Sequence, residues 1–342
     1  MKALVKQQDG AGGLELLDWP EPAPRADEVL IEVEFAGICG TDLHILKGHW
    51  KCRTPVILGH EFCGRVAALG ENVSDLAIGD RVVAGNPAQT CGVCHHCRTG
   101  NPFMCKKRIS VGFMIDGAFA RFIAVRRQTV HVIPPEVSME EAALCEPMAA
   151  AVRALMERAT VNSGDRVLVS GAGPIGLLCA AVAKAQGAVV IVCGIDADQR
   201  RLACAREMGI DAVVNLDRDN IADIVAEKAS GEGVDIAVEC AGAPGSLKVC
   251  FDHVRKGGTL VQVGIYSEPF PVEFSRIVMN ELQVIGVYGH VWGTWERTLL
   301  LMRDKKVDVR PLITHKLPIS RWADGLSAIQ RGEAIKVLLQ PD

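Results

Sequence analysis

The chain has no long basic run. Lysine and arginine total 37 against 41 aspartates and glutamates, and the formal net charge is −4. That balance excludes nucleic acid and anionic membrane surfaces as partners. The opening "MKALVKQQDGAGGLELLDWPEPAP" lacks both a continuous apolar core and a small-residue cleavage site. No signal peptide is read there, and a cytoplasmic location is expected. Repeats and low-complexity segments are absent as well. What remains is 342 residues of ordinary globular composition, 49% apolar and 23% charged, enough for about two domains.

A membrane span is excluded on similar grounds. "VLVSGAGPIGLLCAAVA", residues 167–183, is nearly long enough to cross a bilayer, but three glycines and a proline fall between 171 and 176, and Lys184 and Gln186 follow. A strand, a tight turn and a buried helix account for it better.

Cysteine is plentiful. There are 13, an odd number that cannot all pair, and a reducing cytosol would not keep disulfides. Eight of them, Cys52, Cys63, Cys145, Cys179, Cys193, Cys204, Cys240 and Cys250, stand singly and read as small core hydrophobes. Four others cluster in "CGVCHHCRTGNPFMC", where Cys91, Cys94, Cys97 and Cys105 fall within fifteen residues. Four thiolates complete a closed tetrahedral zinc shell, which leaves no open position and therefore holds a loop rather than doing chemistry. His95 and His96 lie inside the loop, outside a shell the sulfurs already fill.

A second candidate metal site lies upstream. "AGICGTDLH" carries Cys39 and "GHEFCG" carries His60 and Glu61, each beside glycines that allow sharp turns. If they converge they give three ligands and one open position, the arrangement of catalytic zinc. Asp42 either hydrogen-bonds the far nitrogen of His60 or caps a turn. "ALCEPMAAAV" adds Glu146 at an apparent helix start.

From about residue 165 the texture changes. Gly171, Gly173 and Gly176 fit G-x-G-x-x-G after a strand and before a helix, and Asp196 lies 20 residues beyond Gly176, at the end of the next strand. In that context the motif is a dinucleotide fingerprint. Asp196 can accept from both ribose hydroxyls and repels a 2′-phosphate, favouring NAD, whereas Arg200 and Arg201 nearby could accommodate that phosphate. Apolar runs near 212, 234, 259 and 282 bring the strands to six, the number in a doubly wound dinucleotide sheet.

In this order, "GICGTDLH", "GHEFCG", the four-cysteine lobe, "EPMAAAV", "GAGPIG" and "VYGH…TW" resemble the zinc-containing medium-chain dehydrogenase/reductase superfamily, within it the sorbitol-type polyol and L-threonine 3-dehydrogenases. The resemblance covers essentially the whole chain. It implies an α/β protein: a GroES-like β-rich catalytic domain over 1–146 with its zinc lobe at about 86–110, a Rossmann domain over 147–291 with a six-stranded parallel sheet, and a return to the catalytic domain over 292–342. It implies two zinc ions per chain. The catalytic one would sit between the domains on Cys39, His60 and Glu61, with Glu146 as exchangeable ligand or proton acceptor. Thr41 and His44 match the proton relay. Gly171, Gly173, Pro174, Ile175, Gly176, Asp196 and Arg201 match cofactor contacts, and Val263, Gly264, Ile265, Val287 and Tyr288 match the backbone that holds the nicotinamide. The implied activity is NAD-dependent interconversion of a secondary alcohol, in a polyol or sugar-derived substrate, with its ketone, by a homotetramer or homodimer. The alternatives are an L-threonine 3-dehydrogenase-like enzyme and a nucleotide-binding relative without turnover. One departure stands out: Gly289 and His290 occupy the place of the Arg-Tyr pair that binds substrate in sorbitol-type enzymes.

Overall fold

The computed structural model describes residues 1–342, the side chain of Pro87 excepted. The chain forms two compact units. One holds Met1–Glu146, His290–Asp304 and Ile313–Asp342, and the other holds Pro147–Gly289 and Lys305–Leu312. The return anticipated for 292–342 is thus interrupted, because Lys305–Leu312 belongs with the second unit. There Cys204 Sγ donates to the Pro311 carbonyl at 3.5 Å.

The first unit is built on antiparallel strands. In Glu28–Gly37 every second residue is buried up to Phe35, as a half-covered strand requires, and the last three residues are all buried. It pairs on one side with Glu61–Leu69 and on the other with Phe122–Arg126 and the C-terminal strand Lys336–Gln340. The seven-stranded sheet continues through Arg81–Ala84 to Val130–Val132 at one edge and Ile313–Pro318 at the other. Leu4, Ile31, Phe62, Val82, Phe119 and Val337 belong to one apolar cluster beneath it. "WPEPAP" is irregular chain between Leu14–Asp18 and Glu28–Gly37. Strand register decides which side chains meet. Gly37 faces Glu61, and a Cβ on Gly37 would come within 2.6 Å of Glu61 Oε2, so only glycine leaves that carboxylate room.

In the second unit six parallel strands lie in spatial order Ala212–Asn215, Val189–Gly194, Arg166–Ser170, Val234–Glu239, Val254–Gln262, Gln283–Gly286. Numbered along the chain this is 3-2-1-4-5-6, the doubly wound dinucleotide order. The apolar stretch at 167–183 resolves into strand Arg166–Ser170 and helix Pro174–Ala185. Among the described residues no helix is long and apolar enough to cross a membrane. Of the eight single cysteines, six are buried, and Cys52 and Cys240 are half-buried.

Candidate active site and metal centres

Cys39 caps the short helix Gly40–Leu46, and its backbone N–H donates to Asp42 Oδ2 at 2.9 Å. Asp42 therefore does cap the turn. Its other oxygen, Oδ1, has no hydrogen-bond partner and lies 3.8 Å from His60 Nδ1, which is itself buried and unpartnered. Ligand atoms of Cys39, His60 and Glu61 lie within 4.8 Å of one another. Glu61 starts its strand opposite Gly37, and its Oε2 takes the buried ammonium of Lys336, brought in by the C-terminal strand. Lys336 also donates to the Ile38 carbonyl at 3.1 Å.

The electrostatics test whether a cation fits here. Burial lowers the pKa of His60, but Cys39, Asp42 and Glu146 more than reverse this and hold it well above the ordinary imidazole range. Burial lowers Lys336 too, yet Glu61, Cys39 and Glu146 carry it above its usual value. Glu61 is nevertheless pushed up, by burial and by Glu146 against Lys336 and His60. Three carboxylates and a thiol thus face only one ammonium and one imidazolium. The surplus of buried negative charge and the mixed sulfur, nitrogen and oxygen donor set suit a divalent zinc ion.

Glu146 lies outside that three-residue group. Its Oε1 is 3.1 Å from His290 Nε2. Burial raises its pKa, but the His290 hydrogen bond, His290 itself, His60 and Lys336 outweigh burial and hold it below the ordinary carboxyl range. Thr41 is beside the cluster, with its Oγ1 3.7 Å from Cys39 Sγ. His44 sits in the last turn of the same helix, half-buried, its ring centroid 6.1 Å from that of His49. Burial, then His49 and Lys47, lower its pKa. His290 and Trp295 also help to line a cavity of about 300 Å³, together with His131, Trp292, Cys97 and Pro102.

The sulfurs of Cys91, Cys94, Cys97 and Cys105 likewise lie within 4.8 Å of one another. Cys94 and Cys97 sulfurs are 3.5 Å apart, and Cys91 Sγ accepts from the Cys94 N–H at 3.3 Å. Backbone N–H groups of Val93 and Cys94 draw Cys91 down to about 6. Cys94 is favoured by the Cys97 N–H, but burial and the neighbouring sulfurs push it up to about 11. Thiols this crowded cannot all ionise unless a cation sits among them, so this set also fits zinc.

In the second unit the fingerprint glycines have distinct reasons. Gly171 has φ +107°, a conformation side chains resist. Gly173 caps the helix, Pro174 opens it, and a Cβ on Gly176 would collide with the Gly171 carbonyl oxygen. The free N–H groups of that helix end can receive a pyrophosphate. Asp196 follows the next strand and is exposed. Its Oδ1 accepts from Asn215 Nδ2 at 2.7 Å and pairs with Arg218 Nε at 2.6 Å. These two contacts hold its carboxyl below the ordinary range. Arg201 turns elsewhere, pairing with Asp198 at 2.7 Å. Arg218, rather than Arg200 or Arg201, is the cation on Asp196, a contact sequence reading missed. The parallel register that sets Gly194 beside Asn215 was the signal for it.

Sequence reading also missed Glu239. This carboxylate is fully buried at the end of its strand. Its Oε1 accepts from the backbone N–H groups of Ala241 and Gly242 at 2.8 and 2.9 Å, and its Oε2 from Gln262 Nε2. Its backbone carbonyl accepts from Val263 and Gly264. Ile265 and Tyr288 are exposed beyond these turns, and the Val287 N–H donates to the Gln262 carbonyl at 3.0 Å.

The fold and the two ligand sets define a zinc-binding alcohol dehydrogenase class, and comparison with known proteins agrees. Residues 25–135 match the alcohol dehydrogenase GroES-like domain and residues 174–304 the zinc-binding dehydrogenase domain. The chain belongs to the zinc-containing medium-chain dehydrogenase family, with a GroES-like domain and a Rossmann domain. It is an oxidoreductase of the class acting on alcohols. Within that class it is 40% identical to a sorbitol dehydrogenase of Halalkalibacterium halodurans, over 100% of this chain and 99% of that one. It is 37% identical to an L-threonine 3-dehydrogenase of Saccharopolyspora erythraea, over 99% and 98%. In structure it matches galactitol-1-phosphate dehydrogenase of Escherichia coli with a TM-score of 0.90 and 30% identity, covering 100% of both chains.

Proposed function

We propose that the chain is an NAD-dependent polyol dehydrogenase that interconverts a secondary alcohol with its ketone. Cys39, His60 and Glu61 would hold a catalytic zinc with Glu146 as the exchangeable carboxylate, and Cys91, Cys94, Cys97 and Cys105 a structural one. When bound, the catalytic ion acidifies a hydroxyl and the nicotinamide accepts a hydride. The chain's own groups do the rest. Asp42 Oδ1 faces the His60 ring and orients it. Thr41 would pass the hydroxyl proton on by giving up its own, through the ribose of the bound cofactor, to His44, which would release it to solvent. The lowered pKa of His44 keeps its ring neutral near pH 7 and able to accept. Asp196 receives the ribose hydroxyls, which favours NAD.

The observation that carries the polyol assignment is the ionised Glu146 carboxylate, held by His290 next to the Cys39–His60–Glu61 group. A carboxylate set to receive a second hydroxyl is left unpaired by an alcohol that lacks one, and such sites reject the analogue by factors of about 10⁴. The similarity to a sorbitol dehydrogenase supports this reading. L-Threonine is the second reading, supported by the threonine dehydrogenase relative.

NADH production from a panel of polyols, sugars, sugar acids, propan-2-ol and L-threonine tests it. Vicinal polyols should exceed propan-2-ol in kcat/KM by at least ~100-fold. Equal rates on propan-2-ol and every diol would refute the polyol reading, and a clear preference for L-threonine would replace it.

A further inference from the structure

His290 is 3% exposed and both ring nitrogens are engaged. Nδ1 lies 2.7 Å from the indole Nε1 of Trp295, and Nε2 lies 3.1 Å from Glu146 Oε1. An indole N–H can only donate. Nδ1 must therefore accept, and the ring hydrogen is placed on Nε2, where the carboxylate receives it. Trp295 thus selects the one neutral tautomer that can donate to Glu146.

The ring is also clamped sideways. The Trp295 ring meets it edge-on with centroids 4.9 Å apart, and Phe103 of the four-cysteine loop meets it at 5.3 Å and 61°. Trp295 is 2% exposed, near the start of helix Trp292–Arg303, and His131 stacks on it at 5.3 Å and 8°. His290 has little freedom to turn.

We infer that His290 is a positioning residue for Glu146: oriented by the Trp295 indole, it fixes one carboxylate oxygen and leaves the other for the substrate's second hydroxyl. The inference rests on the role given to Glu146 above. It also specifies how substrate is read. Both His290 nitrogens are spent inside the protein, so His290 offers substrate no polar atom, and the second hydroxyl of a diol is recognised by Glu146 rather than by a residue at the position of the sorbitol-type Arg-Tyr pair.

Two measurements test this, one independent of substrate. In protein labelled with ¹⁵N-histidine, the His290 resonances are identified by their loss in His290→Gln. Nδ1 should show the shift of a pyridine-type nitrogen and Nε2 that of a pyrrole-type nitrogen, and Trp295→Phe should mix the two. A pyrrole-type Nδ1, or a pattern unchanged in Trp295→Phe, would overturn the inference. Kinetics on the best substrate of the panel, whatever its class, give the second readout. His290→Phe should lower kcat by about tenfold to a hundredfold with a much smaller change in KM, the loss expected for one hydrogen bond to a charged group. His290→Gln, whose amide can still donate to Glu146, should recover at least half of that loss on a logarithmic scale. Equal losses in the two variants, or a change confined to KM, would reject positioning. Failure of the polyol panel with the tautomer and the glutamine rescue intact would remove the substrate reading and leave His290 in place.

Discussion

His131 should make the first unit acid-sensitive. Its ring sits in strand Val130–Val132, 5% exposed, against Trp292 at 3.9 Å and Trp295 at 5.3 Å. Burial, the largest cause, lowers its pKa from 6.5 to about 3, with Arg127 adding to it. The unfolded chain takes up a proton as pH falls below 6.5, while the folded ring refuses it until about 3. Stability is therefore complete above 6.5 and drains away between 6.5 and 3, by up to 1.36 kcal/mol per pH unit. At pH 5 the loss from this one ring is about 2 kcal/mol. His131→Phe keeps an aromatic ring in the stack and removes the titration. All five tryptophans, Trp19, Trp50, Trp292, Trp295 and Trp322, belong to the same unit as His131, so urea unfolding followed by tryptophan fluorescence reports that unit. Between pH 7.5 and pH 5 the wild type should lose about 2 kcal/mol more than the variant. Equal losses would mean that the folded ring protonates freely, and the reasoning from burial would fail.

Metal analysis of purified protein should find about two zinc ions per chain. Cys97→Ser should lose one of them together with thermal stability, because closed sites contribute directly to folding, whereas His60→Asn should lose the other and leave a folded, inactive chain. NAD should be preferred to NADP by well over about tenfold in kcat/KM. Asp196→Ala should narrow the gap in both turnover and NADH/NADPH affinity, since Arg218 stays behind without its carboxylate partner; a gap that persists in the alanine variant would take the ribose away from Asp196.

The Rossmann half was legible in the sequence because its signals are local. Six apolar runs, the first followed by a glycine turn, become the six strands of one parallel sheet. The main difference is that the fifth strand begins at Val254 rather than near 259, with an irregularity in its pairing. The Cys39, His60 and Glu61 set was visible as residue types, but its environment was not. Lys336 reaches Glu61 across 275 positions because Lys336–Gln340 pairs with Glu28–Gly37, and no short window of sequence contains that fact. His290 and Trp295 are five residues apart, yet their partner Glu146 is 144 positions away. Asp42 was read as either a cap or a partner of His60; Oδ2 takes the cap, while Oδ1 faces His60 at 3.8 Å without a hydrogen bond. Register, which sets Gly37 opposite Glu61 and Gly194 opposite Asn215, separates a list of plausible residues from a site.

Glu239 bears on how this sequence can change. One buried residue fastens two turns that are distant in the chain, Ala241–Gly242 through its carboxylate and Val263–Gly264 through its backbone carbonyl. A Cβ added at Gly264 would run into both Glu239 and Gly242, and one added at Gly242 would run into Ile265. A replacement in either turn is therefore judged against the other, so their effects should be strongly non-additive. Mutational drift through this corner of the nucleotide-binding half has to move in pairs. A variant tolerated in one relative is for that reason a poor guide to what this chain will accept at the same position alone.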